Sequence, residues 1–195
     1  RLLDHQIKNG VRGFVVNGTT GESPTLKKEE IAEAFRLVKS KGPDLLCIVG
    51  TGSNDTEKTI KDSQWAQELG ADAVLVVVPY YNKPPQRGLV AHFKAVASAV
   101  KIPVILYNVP GRTITKLDVS SIEELAKVSN IKVIKEASGD IEIAREIAKK
   151  CAALDLLSGD DGTYVEFLNA GGHGVISVAS HVIPAQMVQW KKWLQ

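Results

Sequence analysis

Seven short apolar runs alternate with amphipathic stretches along the whole chain, and this rhythm constrains the fold more than any other feature. The runs are Val11–Val16, Leu45–Val49, Ala73–Val78, Pro103–Tyr107, Ile131–Lys135, Leu154–Leu157 and Gly174–Val178, starting 20 to 34 residues apart. They are nearly continuous in apolar and β-branched residues, as parallel strands buried on both faces are. Between them, Ile31, Ala34, Phe35 and Val38 follow the spacing of one helix face, as do Leu89, Phe93, Val96 and Val100. Ile141, Ala144, Ile147, Ala148 and Cys151 repeat it, and the helical stretch Thr56–Leu69 runs into Gly70, a residue suited to a C-cap.

Strict β/α alternation implies an α/β fold with a parallel sheet, either doubly wound or closed as a (β/α)8 barrel. A doubly wound nucleotide-binding fold is expected to carry GxGxxG or GxxxxGK[ST] after its first strand, and Gly18-Thr-Thr-Gly21 fits neither. Seven strands in regular succession favour the barrel, which needs eight and typically about 250 residues. The expectation is therefore one (β/α)8-barrel domain over residues 1–195 of this 195-residue chain. It would be truncated at both ends, with a first strand ahead of Arg1 and a helix cut at Trp190–Gln195.

Composition narrows the class. A net charge of +2 gives no electrostatic reason to bind nucleic acid or a membrane surface. No apolar run approaches the about 20 residues of a membrane span. Cys47 and Cys151 lie in apolar contexts and read as buried thiols of a reducing compartment. No CxxC or His/Cys cluster has metal-site spacing, so no metal is expected. A cytoplasmic location follows. Because Arg1 is not a methionine, a lost targeting segment, including a plastid transit peptide, stays open.

In a barrel, chemistry sits at the C-terminal ends of the strands and in the loops that follow. Those positions hold Asn17-Gly-Thr-Thr-Gly-Glu-Ser23, Pro79-Tyr-Tyr-Asn-Lys-Pro84, Asn108-Val-Pro-Gly-Arg-Thr113, Lys135 and Ser158-Gly-Asp-Asp161. Alternation puts Ile131, Val133 and Lys135 on one strand face. On that segment alone Lys135 has two readings. It is either a solvated strand-end lysine, or an inward lysine that burial turns into a neutral nucleophile for carbonyl carbon. Asp160 and Asp161 read as helix-capping residues rather than metal ligands.

Two signatures together resemble the dihydrodipicolinate synthase family, within the pyruvate-dependent lyases that include N-acetylneuraminate lyase. One runs from Gly13 through the GTTGES stretch to Glu30. The other runs from Tyr107-Asn-Val-Pro110 to Lys135-Glu-Ala-Ser138. The resemblance covers essentially the whole chain. It implies that Lys135 forms an imine with pyruvate and that no cofactor beyond this covalent imine is used. It implies that Thr19 and Thr20 hold the pyruvate carboxylate, and that Thr20, Tyr107 and Tyr81 form a proton relay. Tyr81 would cross into the site of a neighbouring subunit in a homodimer or homotetramer, with Tyr80 packing at that interface. Arg112 would receive the carboxylate of aspartate semialdehyde, and Gly159 and Ile176 would turn backbone carbonyls to the substrate.

The implied reaction joins pyruvate to L-aspartate 4-semialdehyde, giving 4-hydroxy-tetrahydrodipicolinate for diaminopimelate and lysine biosynthesis. Two other readings stand beside it: an aldolase for 2-keto-3-deoxy sugar acids or N-acetylneuraminate-type substrates, and a non-catalytic barrel fragment. Arg112 argues against the aldolase, because the sugar-acid lyases typically lack it in this context. One departure bears on regulation. Lys28, Ile31 and Lys58 stand where lysine-sensitive members use histidine and glutamate, so feedback inhibition by lysine is expected to be weak or absent.

Overall fold

The computed structural model describes residues 1–194. Its strands are β1 (Gly13–Val16), β2 (Leu46–Gly50), β3 (Ala73–Val77), β4 (Val104–Asn108), β5 (Ile131–Glu136), β6 (Asp155–Ser158) and β7 (Gly174–Val175). They form one parallel sheet in chain order, β1 through β7, with β1 and β7 each paired on one side only. Helices α1 (Leu2–Lys8), α2 (Lys28–Ser40), α3 (Thr56–Leu69), α4 (Gln86–Ala99), α5 (Pro110–Thr113) and α6 (Val119–Leu125) alternate with the strands, followed by α7 (Ile141–Lys150), α8 (Tyr164–Asn169) and α9 (Pro184–Leu194). The architecture is an incomplete (β/α)8 barrel with seven strands. Gln195, the end of the expected last helix, lies outside the described residues.

Local chemistry sets the helix ends. Asp55 caps α3 by accepting the Lys58 N–H, and Asp140 caps α7 by accepting those of Glu142 and Ile143. Glu30 reaches back to the Lys27 N–H at 2.8 Å at the start of α2. Gly70 closes α3 in the left-handed region, at φ 96°, as its position in the sequence suggests.

The sheet separates two apolar layers. Outward residues Val74, Val76, Leu106, Ile134 and Leu156 pack against Phe35, Phe93, Ile122 and Ile147 of the helices. Inward residues Ala73, Leu75, Ile105 and Tyr107 pack with Val15, Ile48, Val77 and Val133 inside the barrel. The period of two along β3 and β4 produces this division.

In two places the strands differ from simple alternation. Val104 pairs with Ile131 but Ile105 pairs with Val133, so Lys132 is an extra residue on β5. This bulge turns Ile131 to the outer layer beside Ile134, so it does not share the face of Val133 and Lys135. The last strand is also shorter than Gly174–Val178. After the Ile176 N–H bonds to the Ser158 carbonyl, the N–H groups of Val178 and Ala179 turn to the Asp161 carboxylate and leave the ladder.

Candidate active site

Lys135 and Tyr107 are direct partners across β4 and β5, one residue before each strand ends. Lys135 Nζ lies 4.0 Å from the centre of the Tyr107 ring. Burial pulls the Lys135 ammonium down to about 8 from its ordinary value. The nearby Arg112 charge adds to the fall, and Asp161 opposes it. Burial likewise pushes the Tyr107 phenol up, against a smaller opposite pull from Arg112. The solvated strand-end reading of Lys135 does not describe this environment. A lysine near 8 offers a substantial neutral fraction near neutral pH, as an amine nucleophile requires.

Gly159 follows β6 and presses against this lysine. A Cβ built there would lie 2.6 Å from Ala137 Cβ and 2.7 Å from Lys135 Cε, so only glycine lets the backbone come this close. Thr19 and Thr20 open a 3-10 turn, Thr19–Gly21, directly beyond β1. The first N–H groups of such a turn lack acceptors within it and suit a carboxylate. The side chains of both threonines are exposed.

Thr19, Thr20, Tyr80, Tyr107, Lys135 and Ile176 all line one cleft of about 1010 Å³, which runs from the mouth into the barrel interior. Tyr81, Arg112 and Gly159 are not part of that lining. Arg112 is exposed on α5, and Tyr81 is 84% exposed. Among the described residues, five non-glycine residues have positive φ, namely Asn17, Glu22, Tyr81, Lys83 and Ile114, and all lie in the segments after β1, β3 and β4. Backbone in sparsely populated regions is thus concentrated around the mouth.

Asp160 and Asp161 divide the role expected of both. Asp160 Oδ2 accepts from the Thr163 N–H and hydroxyl, at 3.2 and 2.8 Å, at the start of α8. Asp161 does not cap that helix. Its Oδ2 accepts from the N–H groups of Val178 and Ala179, at 2.9 and 2.8 Å, and its Oδ1 is buried without a partner. Asp161 therefore ties the loop after β6 to the loop after β7, which carries Ile176.

Asn108 and Glu136 also stand at the site, although the residue pattern assigned them no role. They pair in register immediately after Tyr107 and Lys135, and Asn108 Nδ2 donates to Glu136 Oε2 at 2.8 Å. Two polar residues facing each other at the ends of otherwise apolar neighbouring strands are the signal that marks them. Lining the same cleft, Asp62 takes both Lys28, at 2.9 Å, and Lys58 as ion-pair partners, and Lys28 stands 5.2 Å from the centre of the Trp65 ring. Burial raises the Asp62 carboxyl, but the two lysines outweigh it and hold it low. Among the described residues, no three His, Cys, Asp or Glu side chains are gathered as a metal cluster, and no helix is long and apolar enough to cross a membrane.

Fold and site together define a class: a parallel β/α barrel presenting a half-buried amine at the C-terminal end of its sheet. A family-level comparison makes this specific. Residues 1–195 match the Dihydrodipicolinate synthetase family, and the chain belongs to that family. It is 66% identical over 196 residues to a 4-hydroxy-tetrahydrodipicolinate synthase of Bdellovibrio bacteriovorus, covering 100% of this chain and 67% of the relative. It is 48% identical to the protein of that name from Bacillus velezensis, covering 98% of this chain and 67% of the relative. A crystal structure of dihydrodipicolinate synthase from Aquifex aeolicus superposes with a TM-score of 0.93 at 40% identity, covering 99% of this chain and 67% of that one. The chain thus spans about two thirds of the length of these relatives.

Proposed function

We propose that this chain carries the active site for condensing pyruvate with L-aspartate 4-semialdehyde to 4-hydroxy-tetrahydrodipicolinate. The observation that carries the reading is Lys135, a half-buried amine with its pKa lowered to about 8 beside the Tyr107 ring. Neutral Lys135 adds to the keto carbon of pyruvate, and loss of water gives the imine. The imine draws electrons from the neighbouring methyl, which gives up a proton and attacks the aldehyde carbon of the second substrate. The amino group of that substrate then displaces Lys135 and closes the ring. The imine itself supplies the electron sink, so the reading calls on no separate cofactor.

Membership of the family suggests roles for the other residues. The N–H groups of Thr19 and Thr20 would hold the pyruvate carboxylate. The Thr20 hydroxyl, Tyr107 and Tyr81 would carry protons. Arg112 would grip the second carboxylate, for which a guanidinium has the right paired donors. The backbones of Gly159 and Ile176 would line the substrate. The exposure of Tyr81 supports a role completed by a second copy of the chain, hence a homodimer or a larger assembly. Two free, buried thiols fit a reducing cytoplasmic setting. Feedback by lysine is proposed to be weak, because Asp62 is already shared by Lys28 and Lys58 and offers no free carboxylate to a ligand ammonium.

The test is covalent trapping. Incubation with pyruvate and borohydride should add a reduced pyruvate adduct to Lys135, and Lys135→Ala should show none. Folded protein without an adduct would sink the reading. Turnover with aspartate semialdehyde, rather than retro-aldol cleavage of a keto-deoxy acid, then fixes the second substrate.

A further inference from the structure

Asn108 and Glu136 form an enclosed polar pair near the mouth, 0% and 2% exposed. Among the described residues Glu136, a buried acid, has no cationic partner, and it is held by two N–H donors. Asn108 Nδ2 donates to Oε2 at 2.8 Å, and the Ser138 backbone N–H donates to Oε1 at 2.7 Å. Asn108 has a second set of bonds. Its Oδ1 accepts the Leu117 N–H at 3.0 Å, and its Nδ2 also lies 3.5 Å from the Leu117 carbonyl. Main-chain bonds lock the same spot: the Ala137 N–H donates to the Asn108 carbonyl, and the Gly159 N–H to the Glu136 carbonyl, at 2.9 and 2.8 Å.

The consequence is topological. The segment between Asn108 and Leu117 leaves the sheet, forms α5 with Arg112, and returns to the Asn108 side chain. Both ends of the Arg112 loop therefore rest on one residue, and that residue is fixed by Glu136, the chain neighbour of Lys135. Such a loop is held closed by its own anchor rather than by secondary structure. The distance from the Arg112 guanidinium to the reacting lysine then depends on this buried pair.

We propose that Asn108 and Glu136 are a positioning pair that couples the strand ends bearing Tyr107 and Lys135 to the Arg112 loop, and so sets where the second substrate's carboxylate is held. The inference rests on the reading of Arg112 as the clamp for that carboxylate. Neither residue touches the reacting atoms.

Exchange of the two side chains tests it. Asn108→Asp sets two carboxylates face to face in a buried site, which is costly and displaces the loop. Adding Glu136→Gln restores the pair with its hydrogen bond reversed. The Gln amide donates to the new aspartate, and its oxygen accepts from Ser138. Asn108→Asp should raise the KM for aspartate semialdehyde roughly tenfold, the scale expected for a small misplacement of a substrate clamp. Borohydride trapping of pyruvate should stay near the unaltered level. The double variant should recover most of the KM. In an Arg112→Ala background Asn108→Asp should add nothing to KM. If Asn108→Asp does not fold, Glu136→Gln alone is read the same way, since it sets an amide donor against a donor.

A structural role without positioning would lower the yield of folded enzyme and kcat, and leave KM unmoved. An unchanged KM in folded variants, or a full further loss on top of Arg112→Ala, overturns the proposal. Failure of the unaltered protein to trap pyruvate would instead strike the reading of the reaction, so the two failures are distinguishable.

Discussion

Lys135 and Tyr107 face each other across β4 and β5, with the ammonium nitrogen 4.0 Å from the ring centre. Two physical effects compete there. The ring face favours a cation, while burial disfavours one. Burial wins, because it is the largest influence on Lys135 and its pKa falls to about 8.

The charges around Lys135 make its titration adjustable in both directions. Imine formation needs the neutral amine, so its rate at saturating pyruvate should climb with pH and level off above about 8. Arg112 depresses the lysine, so Arg112→Ala should raise its pKa and shift the rise to higher pH. Asp161 supports the ammonium, so Asp161→Asn should shift it to lower pH. Borohydride trapping at short times, measured across pH, reads all three midpoints. Shifts in the same direction for both variants would contradict this arrangement of charges.

Gly159→Ala tests the closeness of the β6 backbone to the lysine. The added methyl would meet Lys135 Cε at 2.7 Å and Ala137 Cβ at 2.6 Å, and the far end of the lysine can yield more easily than Ala137 can. Overpacking of this kind costs about 1–3 kcal/mol. The expected result is a modest loss of stability in urea unfolding and a much larger loss of imine formation, as Lys135 is pushed from its place. Normal trapping rates in Gly159→Ala would show that the lysine has room to spare.

The barrel class and the place of Lys135 were legible because they depend on local periodicity. Apolar runs mark β4 and β5, and counting along them sets Tyr107 and Lys135 at their ends. Alternation misplaces Ile131 because it holds only for a regular strand, and nothing in the run Ile131-Lys-Val-Ile-Lys135 announces the bulge at Lys132. The sequence around Asp161 suggests a cap because helix capping is a local pattern, whereas its partners Val178 and Ala179 lie on the loop after the next strand. Asn108 and Glu136 both lie inside the second signature but gain a role only from strand register, which pairs residues 28 positions apart.

Tyr81 offers a test of assembly that does not depend on solving a complex. The side chain is 84% exposed on a backbone held at φ 73°, so it is presented outward rather than packed at home. Lys135→Ala and Tyr81→Phe should each be nearly inactive alone. If Tyr81 completes the neighbour's site, mixing the two after dissociation gives hybrid dimers with one intact site each. Random pairing then restores about a quarter of the unaltered activity. No recovery from subunits that have exchanged would place Tyr81 in its own chain's site or outside the mechanism.

His92 on α4 predicts a specific weakness in acid. The residue is 5% exposed, its Nδ1 lies 2.8 Å from the Thr56 hydroxyl, and its Nε2 is buried without a partner. Burial lowers its pKa from 6.5 to about 4, with Asp55 countering only in part. The folded chain therefore keeps His92 neutral, while the unfolded chain takes up a proton below about 6.5. The stabilising contribution is complete above that pH and is lost as pH falls toward 4, amounting to about 2 kcal/mol by pH 5. His92→Gln keeps a partner for Thr56 and cannot titrate. Urea unfolding at pH 7.5 and pH 5 should show a smaller loss of stability in His92→Gln than in the unaltered protein, because the carboxylates are common to both. Equal losses would assign the acid sensitivity to other groups.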